Sequence, residues 1–375
     1  MKKKLVKNIE EKDLKKAIKE FKSKKILLVT GKKSFESSGA SKLFANLFKD
    51  KKYKITRFSD FSVNPNTDDV LKGLDLFKDN NCDIIIAIGG GSVMDMGKLI
   101  NVFQCHCIIS VEDFIKNNDI VNKGVPLIAI PTTSGSGSEA TSFAVIYHQK
   151  TKFSLSHENI LPDLVGLNYK LSLSQSKYST ACTALDAMCQ AIESLWSINS
   201  TKESRKYSKK ALKLIDKNIL EVVNFPDFKN KSAMCKASYL SGKAINISKT
   251  TAAHAMSYSI TSNYNIAHGH AVFLSLINFI TYNFNINSKN LNDPRGIDFV
   301  KKQIKKICFI MDVTGPNELR KKLIDLANKI DIKIKLSDLN ICISELSSVM
   351  ELNQERLKNN PKKIIDTDLS QFFIE

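Results

Sequence analysis

Asp186 and Gln190 stand four residues apart in LDAMCQAIES (185–194), and His254 and His268 stand fourteen apart in TAAHAMSY and IAHGHAV. Residues at i and i+4 share one helical face, so Asp186 and Gln190 can offer two oxygens side by side. An Asp, Gln, His, His set mixes oxygen and nitrogen donors suited to a divalent ion such as iron(II) or zinc. Fourteen residues of unbroken helix would hold two histidines ~21 Å apart. One ion can therefore take both only if the helix breaks, and Asn263 and Asn265 in TSNYNIAHG supply a break. By spacing alone, a histidine on an apolar helix is more often a packed core residue. Cys105-His106-Cys107 is a second metal-like group, but it lacks a fourth donor and reads as core packing.

Two loops point to phosphate chemistry. Gly89-Gly90-Gly91-Ser92 follows the most apolar segment of the chain, CDIIIAI (82–88), and precedes a helical pattern that carries Asp95 and Lys98. Glycines let backbone approach a ligand, and the next helix offers free N–H groups and the positive end of its dipole. The pattern is not GxGxxG, so it lacks the common dinucleotide fingerprint. The second loop, Pro131-Thr132-Thr133-Ser134-Gly135-Ser136-Gly137-Ser138-Glu139, holds five hydroxyls and two glycines in nine residues. Two such loops, each after an apolar strand, indicate a dinucleotide site at the carboxyl edge of a sheet.

The elements that must carry these loops follow from periodicity. KILLVT (25–30), Tyr53–Phe58, Cys82–Ile88 and VPLIAI (125–130) read as strands. Ala40–Lys49, Asp68–Lys78 (capped by Thr67) and a segment from near Ser92 read as helices. Strands alternating with helices predict a parallel sheet covered on both faces. From Ser174 onward the periods are helical: Thr180–Ile198, Lys202–Val222, Lys231–Asn246 and several more. The expected division is 1–170, an α/β dinucleotide-binding domain, and 171–375, an all-helical metal-binding domain, with a cleft between them.

The chain has 375 residues, enough for two cores, and Lys+Arg 56 against Asp+Glu 38 gives a net charge of +18. That balance invites a nucleic-acid or anionic-membrane reading. The lysines are spread along the chain and lack interleaved aromatics, so neither partner is expected. The start, MKKKLVKNIEEKDLKK, has no apolar signal core, and no run approaches the ~20 residues of a membrane helix. Eight cysteines without a CxxC pair read as reduced thiols, and the expected location is the cytoplasm.

GGGSVMDMGK (89–98), PTTSGSGSE (131–139), LDAMCQAIES (185–194), HAMSYSITSNYNIAHGH (254–270) and NNPKKI (359–364) resemble, in order, the motifs of the iron-containing (group III) alcohol dehydrogenases. The resemblance implies the dehydroquinate synthase-like fold of that family. It implies metal ligands at Asp186, Gln190, His254 and His268, through which Asp186, His254 and His268 serve catalysis. It implies a pyrophosphate at Gly89, Gly90, Gly91, Ser92 and Asp95, and a nicotinamide side lined by Thr132, Thr133, Ser136 and Thr141. Lys152 matches a ribose contact and Asn64 a residue near the adenosine.

Three departures stand out. Gln190 replaces a histidine, which makes a weaker ligand. Tyr258 replaces a second histidine, so a proton relay would use the phenol or water. Gly31 replaces the acidic residue with which NAD-preferring members repel a 2′-phosphate, and Lys32 and Lys33 follow it. The cofactor expected is NADPH ahead of NADH, and the metal iron(II) ahead of zinc. DAMCQAIES, KAINISKTTAAHAMSY and HGHAV are similar to the phosphonoacetaldehyde reductase branch. Lys243, Asn246, Lys249 and Thr250, just before His254, are candidates to hold a phosphonate. The alternatives are a general short-chain aldehyde or lactaldehyde reductase, a non-redox relative, or a basic nucleic-acid-binding protein. A homodimer is the expected assembly.

Overall fold

The computed structural model describes residues 4–149, 151–350, 352–364 and 369–374. The chain divides into two compact units, Met1–Gln175 and Ser176–Glu375.

The first unit is built on a six-stranded parallel sheet in the order β1-β8-β5-β4-β2-β3. Its strands are β1 (Lys4–Lys7), β2 (Lys25–Thr30), β3 (Lys54–Phe58), β4 (Ile84–Gly89), β5 (Leu127–Pro131) and β8 (Leu164–Leu167). An antiparallel pair, β6 (Phe143–His148) and β7 (Thr151–Ser156), stands apart from it. Alternate residues of the central strands enter opposite cores. Leu27, Val29, Ile85, Ala87 and Leu127 face the helices Thr67–Asp79 and Gly91–Gln104. Ile26, Leu28, Ile84, Ile86 and Ile128 face Leu14 and Ile18 of the helix Glu11–Glu20. Burial on both faces is why β4 reads as an unbroken apolar run.

Two local expectations are corrected. The helix expected over Ala40–Lys49 is two, Ala40–Leu43 and Ala45–Lys49, because Phe44 leaves helical geometry (φ −115°, ψ 20°) and buries its ring. The cap of the Thr67–Asp79 helix is Asn66, whose side chain accepts from the Asp69 N–H; Thr67 is already helical and its hydroxyl donates to the Tyr147 carbonyl at 3.2 Å. Asn66 holds extended backbone, which lets its oxygen reach back to the first turn.

The second unit is helical: Lys177–Trp196, Lys202–Asn224, Phe228–Ser248, Ala252–Tyr264, His268–Phe284, Ile297–Ile310 and Pro316–Lys329, with shorter pieces. The Lys177–Trp196 helix is buried nearly all round, as its apolar periphery requires, and forms the centre of this unit. The strap Asn359-Asn360 ties the elements around it. Asn359 Oδ1 accepts from Ser197 Oγ (2.9 Å) and the Asn199 N–H (3.1 Å), and its Nδ2 donates to the Ser248 and Thr250 carbonyls at 2.8 Å each. The closing NNPKKI motif therefore pins the turn that leads to His254. Among the described residues, no helix is long and apolar enough to cross a membrane.

Candidate metal centre and nucleotide cradle

Three helices of the second unit bring the metal-type donors together. Asp186 comes from Lys177–Trp196, His254 from Ala252–Tyr264, and His268 opens His268–Phe284. The last two helices are separated by a break at Asn265, which takes left-handed backbone (φ 54°, ψ 29°) that asparagine tolerates. One donor atom each from Asp186, His254 and His268 lies within 4.8 Å of the others. The rings of His254 and His268 meet edge-on with centroids 5.5 Å apart. Gln190 sits in the same place, and its Nε2 donates to Asp186 Oδ1 at 3.1 Å. His270 is turned away: its ring joins the Tyr178 hydroxyl (3.1 Å) and the Lys333 carbonyl (2.7 Å).

The donor set fits a divalent cation. His254 Nε2 is buried without a hydrogen-bond partner and lies 3.5 Å from Asp186 Oδ1. A buried polar atom left so is costly unless something else occupies its lone pair or proton. Burial opposes ionisation of Asp186, yet His254 and His268 hold its carboxyl below the usual range. Burial would likewise lower His254, but the carboxylates of Glu193 and Asp186 outweigh it and push His254 up to about 10.

Glu193 is a part of this site that the motif reading missed. It contacts His254 Nδ1 from the side opposite Asp186. The signal was present, since Asp186, Gln190 and Glu193 follow one another at i, i+4 and i+7 on one face.

Close packing places His268. A Cβ on Gly269 would lie 2.0 Å from the Cys182 carbonyl oxygen and 2.7 Å from Asp186 Cβ. Only glycine lets these helices touch there. Gly269→Ala is expected to lower stability by ~1–3 kcal/mol, the range for overpacking, and to weaken zinc binding as His268 moves off Asp186. Thermal unfolding and zinc titration check this; a normal melting point with normal zinc affinity would show that the contact does not matter.

In the first unit the two loops lie against each other. β4 and β5 end in register, Gly89 opposite Pro131, and the Thr132 N–H donates to the Gly89 carbonyl at 2.9 Å. The Gly91–Gln104 helix starts at Gly90 with no side-chain cap, so its first N–H groups remain for a ligand. A Cβ on Gly91 would come within 3.1 Å of Ser136 Oγ, and one on Gly90 within 3.5 Å of Thr133. The Asn64 N–H donates to Ser92 Oγ at 3.1 Å. Gly89 to Ser92, Thr132, Thr133, Ser136 and Asn64 are thus gathered at one edge of the sheet, and Gly31 follows the neighbouring strand β2.

Asp95 and Thr141 lie behind this surface. Asp95 accepts from Ser138 Oγ (2.6 Å) and the Val145 N–H (3.2 Å), while Thr141 is fully buried and accepts from Lys98 Nζ at 3.0 Å. Both support the loop. Lys152, on β7, is close enough for its charge to act on Asp95. Arg57 was not anticipated: its Nε donates to Thr30 Oγ1 at 2.9 Å and its Nη2 to the Gly31 carbonyl at 3.4 Å, with the guanidinium over the Phe35 ring. Lys32 is paired with Asp60.

The four substrate candidates divide. Lys249 and Thr250 lie in the turn before the His254 helix; Thr250 is buried, and burial together with the charge of Arg356 lowers the pKa of Lys249. Asn246 is half-buried one turn earlier. Lys243 points to another helix, where it donates to the Tyr207 hydroxyl at 2.8 Å with its ammonium 4.2 Å from that ring's centroid. At the Cys105-His106-Cys107 group, His106 Nδ1 meets the Val102 carbonyl and Nε2 accepts from the Val121 and Asn122 N–H groups. These bonds satisfy the ring as a structural bridge.

The family model for iron-containing alcohol dehydrogenase matches residues 5–169, and that for the C-terminal part of the Fe-containing alcohol dehydrogenase family matches residues 180–374. The chain is 32% identical over 242 residues to phosphonoacetaldehyde reductase of Streptomyces viridochromogenes, covering 60% of each. It is 32% identical over 221 residues to long-chain-alcohol dehydrogenase 1 of Geobacillus thermodenitrificans, covering 58% of this chain and 56% of that one. These matches span less than two thirds of either relative. The structure of sulfoacetaldehyde reductase from Bifidobacterium kashiwanohense in complex with NAD+ aligns with a TM-score of 0.84 at 26% identity, covering 98% of this chain and 95% of that one.

Proposed function

The chain belongs to the iron-containing alcohol dehydrogenase family, and on that premise we propose that it is an NAD(P)H-linked, metal-dependent reductase of a small anionic aldehyde, phosphonoacetaldehyde first among them. The observation that carries this reading is the buried group of Asp186, His254 and His268, with donor atoms within 4.8 Å and His254 Nε2 left without a partner. Asp186, Gln190, His254 and His268 hold the ion, iron(II) ahead of zinc. When bound, the ion supplies a Lewis acid for the carbonyl oxygen and the reduced nicotinamide supplies the hydride. The backbone of Gly89–Ser92 and the uncapped helix behind it receive the pyrophosphate. Thr132, Thr133 and Ser136 orient the nicotinamide side. Tyr258, whose ring stacks on His268 with centroids 6.2 Å apart, or a water in its place, would carry the alcohol's proton.

Two features support the finer assignment. Two of the similar proteins are named for aldehydes bearing a phosphonate and a sulfonate. Lys249, a half-buried cation beside Arg356, would gain from an anion at the turn before His254. For the cofactor, Gly31 offers no carboxylate against a 2′-phosphate, and the Arg57 guanidinium sits on that turn, which favours NADPH.

The test is to strip the metal, reload with iron(II) or zinc, and follow NADPH and NADH oxidation with a panel of aldehydes. We expect kcat/KM for phosphonoacetaldehyde to exceed that for propanal, and NADPH to exceed NADH. Equal turnover of the two aldehydes would refute the anionic substrate. A preference for NADH would refute the cofactor assignment, and inactivity with both metals would refute the reductase.

A further inference from the structure

We propose that Glu193 is a positioning residue of the metal site: it locks the His254 ring with Nε2 toward Asp186 and supplies a second negative charge behind it. This rests on the assignment of Asp186, Gln190, His254 and His268 as metal donors. Glu193 is 0% exposed, and among the described residues each side-chain hydrogen bond it makes leads to His254 or to Thr251, the N-cap of the helix that carries His254. Oε1 accepts from the Thr251 N–H (3.1 Å), Thr251 Oγ1 (2.7 Å) and the His254 N–H (3.4 Å). Oε2 accepts from His254 Nδ1. Trp196 Nε1 donates to Thr251 Oγ1 at 3.0 Å and holds that hydroxyl in place.

This arrangement does two things at once. Thr251 is the first residue of the Ala252–Tyr264 helix cap, but its side chain makes no capping bond. Glu193 takes that role from the neighbouring helix, since a carboxylate at a helix N-terminus satisfies free N–H groups and opposes the dipole. The same carboxylate accepts the Nδ1 proton of the third helical residue, His254. A ring held so keeps one orientation, with Nε2 turned toward Asp186, and a metal that displaced the Nε2 proton would meet that nitrogen's lone pair. The charge balance also needs it. Asp186 is the one anion among the four donors, because Gln190 is neutral. Glu193, in contact with His254, brings the negative charge to two beside a doubly charged cation.

The experiment compares wild type, Glu193→Gln and Thr251→Val as full-length metal-free chains. Zinc affinity is measured by competition with a chromophoric chelator, and site geometry by the ligand-field spectrum of the cobalt(II) form. Glu193→Gln keeps the volume and an acceptor oxygen but loses the charge; its zinc affinity should fall by ~10–100-fold and its cobalt bands should shift. Thr251→Val removes a hydroxyl bonded to the same carboxylate without touching the ring; it should lower the melting point and leave zinc affinity within about threefold. If both variants merely melt earlier and bind zinc like wild type, Glu193 is structural and the proposal is overturned. If Glu193→Gln does not fold, Glu193→Asp, which keeps the charge at shorter reach, replaces it; wild-type zinc affinity and spectrum there would overturn the proposal equally. Wild type failing to bind one zinc per chain would instead overturn the metal assignment itself.

Discussion

Asp186→Asn is expected to reduce kcat/KM for aldehyde reduction by at least ~10³-fold, with zinc affinity lost in parallel, while the protein still folds. The side chains are nearly isosteric, so packing on the central helix survives. What disappears is the one formal charge among the donors. Asp186 is buried, and burial alone would favour its neutral form, but His254 and His268 keep it ionised. On the proposed assignment an amide there could not offset the charge of a bound ion, and two neutral amides, at 186 and 190, would face it. A Lewis acid contributes several kcal/mol to a developing alkoxide, and a thousandfold loss corresponds to ~4 kcal/mol. Steady-state kinetics with metal analysis of the same sample decides the matter. Activity within tenfold of wild type, with metal retained, would remove Asp186 from the centre.

Lys98→Met should have the largest effect on the proposed nucleotide cradle. Lys98 is 1% exposed, and its ammonium is surrounded by four oxygens: the Ser138 carbonyl (2.6 Å), Ser138 Oγ (3.0 Å), Thr141 Oγ1 (3.0 Å) and the Phe143 carbonyl (2.8 Å). Burial lowers its pKa to about 8, against the pull of Asp95 and Glu139, so it remains charged at neutral pH. This cation bolts the Gly91–Gln104 helix to the hydroxyl-rich loop. Methionine fills the space but leaves those oxygens unpaired and Asp95 and Glu139 without their cation. Removing one partner from a buried charge group costs ~3–5 kcal/mol. The expected result is a lower melting point together with at least tenfold weaker binding of NADP+, read by fluorescence or calorimetry, so that KM for the cofactor rises more than kcat falls. A variant that melts early but binds NADP+ normally would mean that the loop keeps its shape without Lys98.

Both predictions depend on residues that differ in how readable they were. Asp186 and Lys98 lie in visible motifs, but only Asp186 has a spacing partner that suggests its chemistry. Lys98 reads as a helical lysine after a glycine turn, because nothing local says that its ammonium ends among oxygens 40 to 45 residues away. Arg57 was passed over for the same reason, since β3 meets β2 only through the sheet. Lys243 was credited with an anion because it precedes His254, whereas helix packing gives it to Tyr207. Strands β1, β6, β7 and β8 escaped notice: β1 and β8 have only four residues each, and β6 and β7 lack the continuous burial that makes β4 stand out.

Sequence by itself determined what depends on neighbours along the chain. The alternation of apolar strands and amphipathic helices, the glycine turn after β4, the shared face of Asp186 and Gln190 and the break at Asn265 are all set by local backbone preference and side-chain period. The tertiary structure alone decided what depends on neighbours in space. Gly269 lets His268 pack against Asp186, three helices then bring their donors within 4.8 Å, and Glu193 reaches across to cap a helix that is not its own. Side-chain type and spacing restrict which chemistry is available, but the distances that make it one site come from packing between elements far apart in the chain.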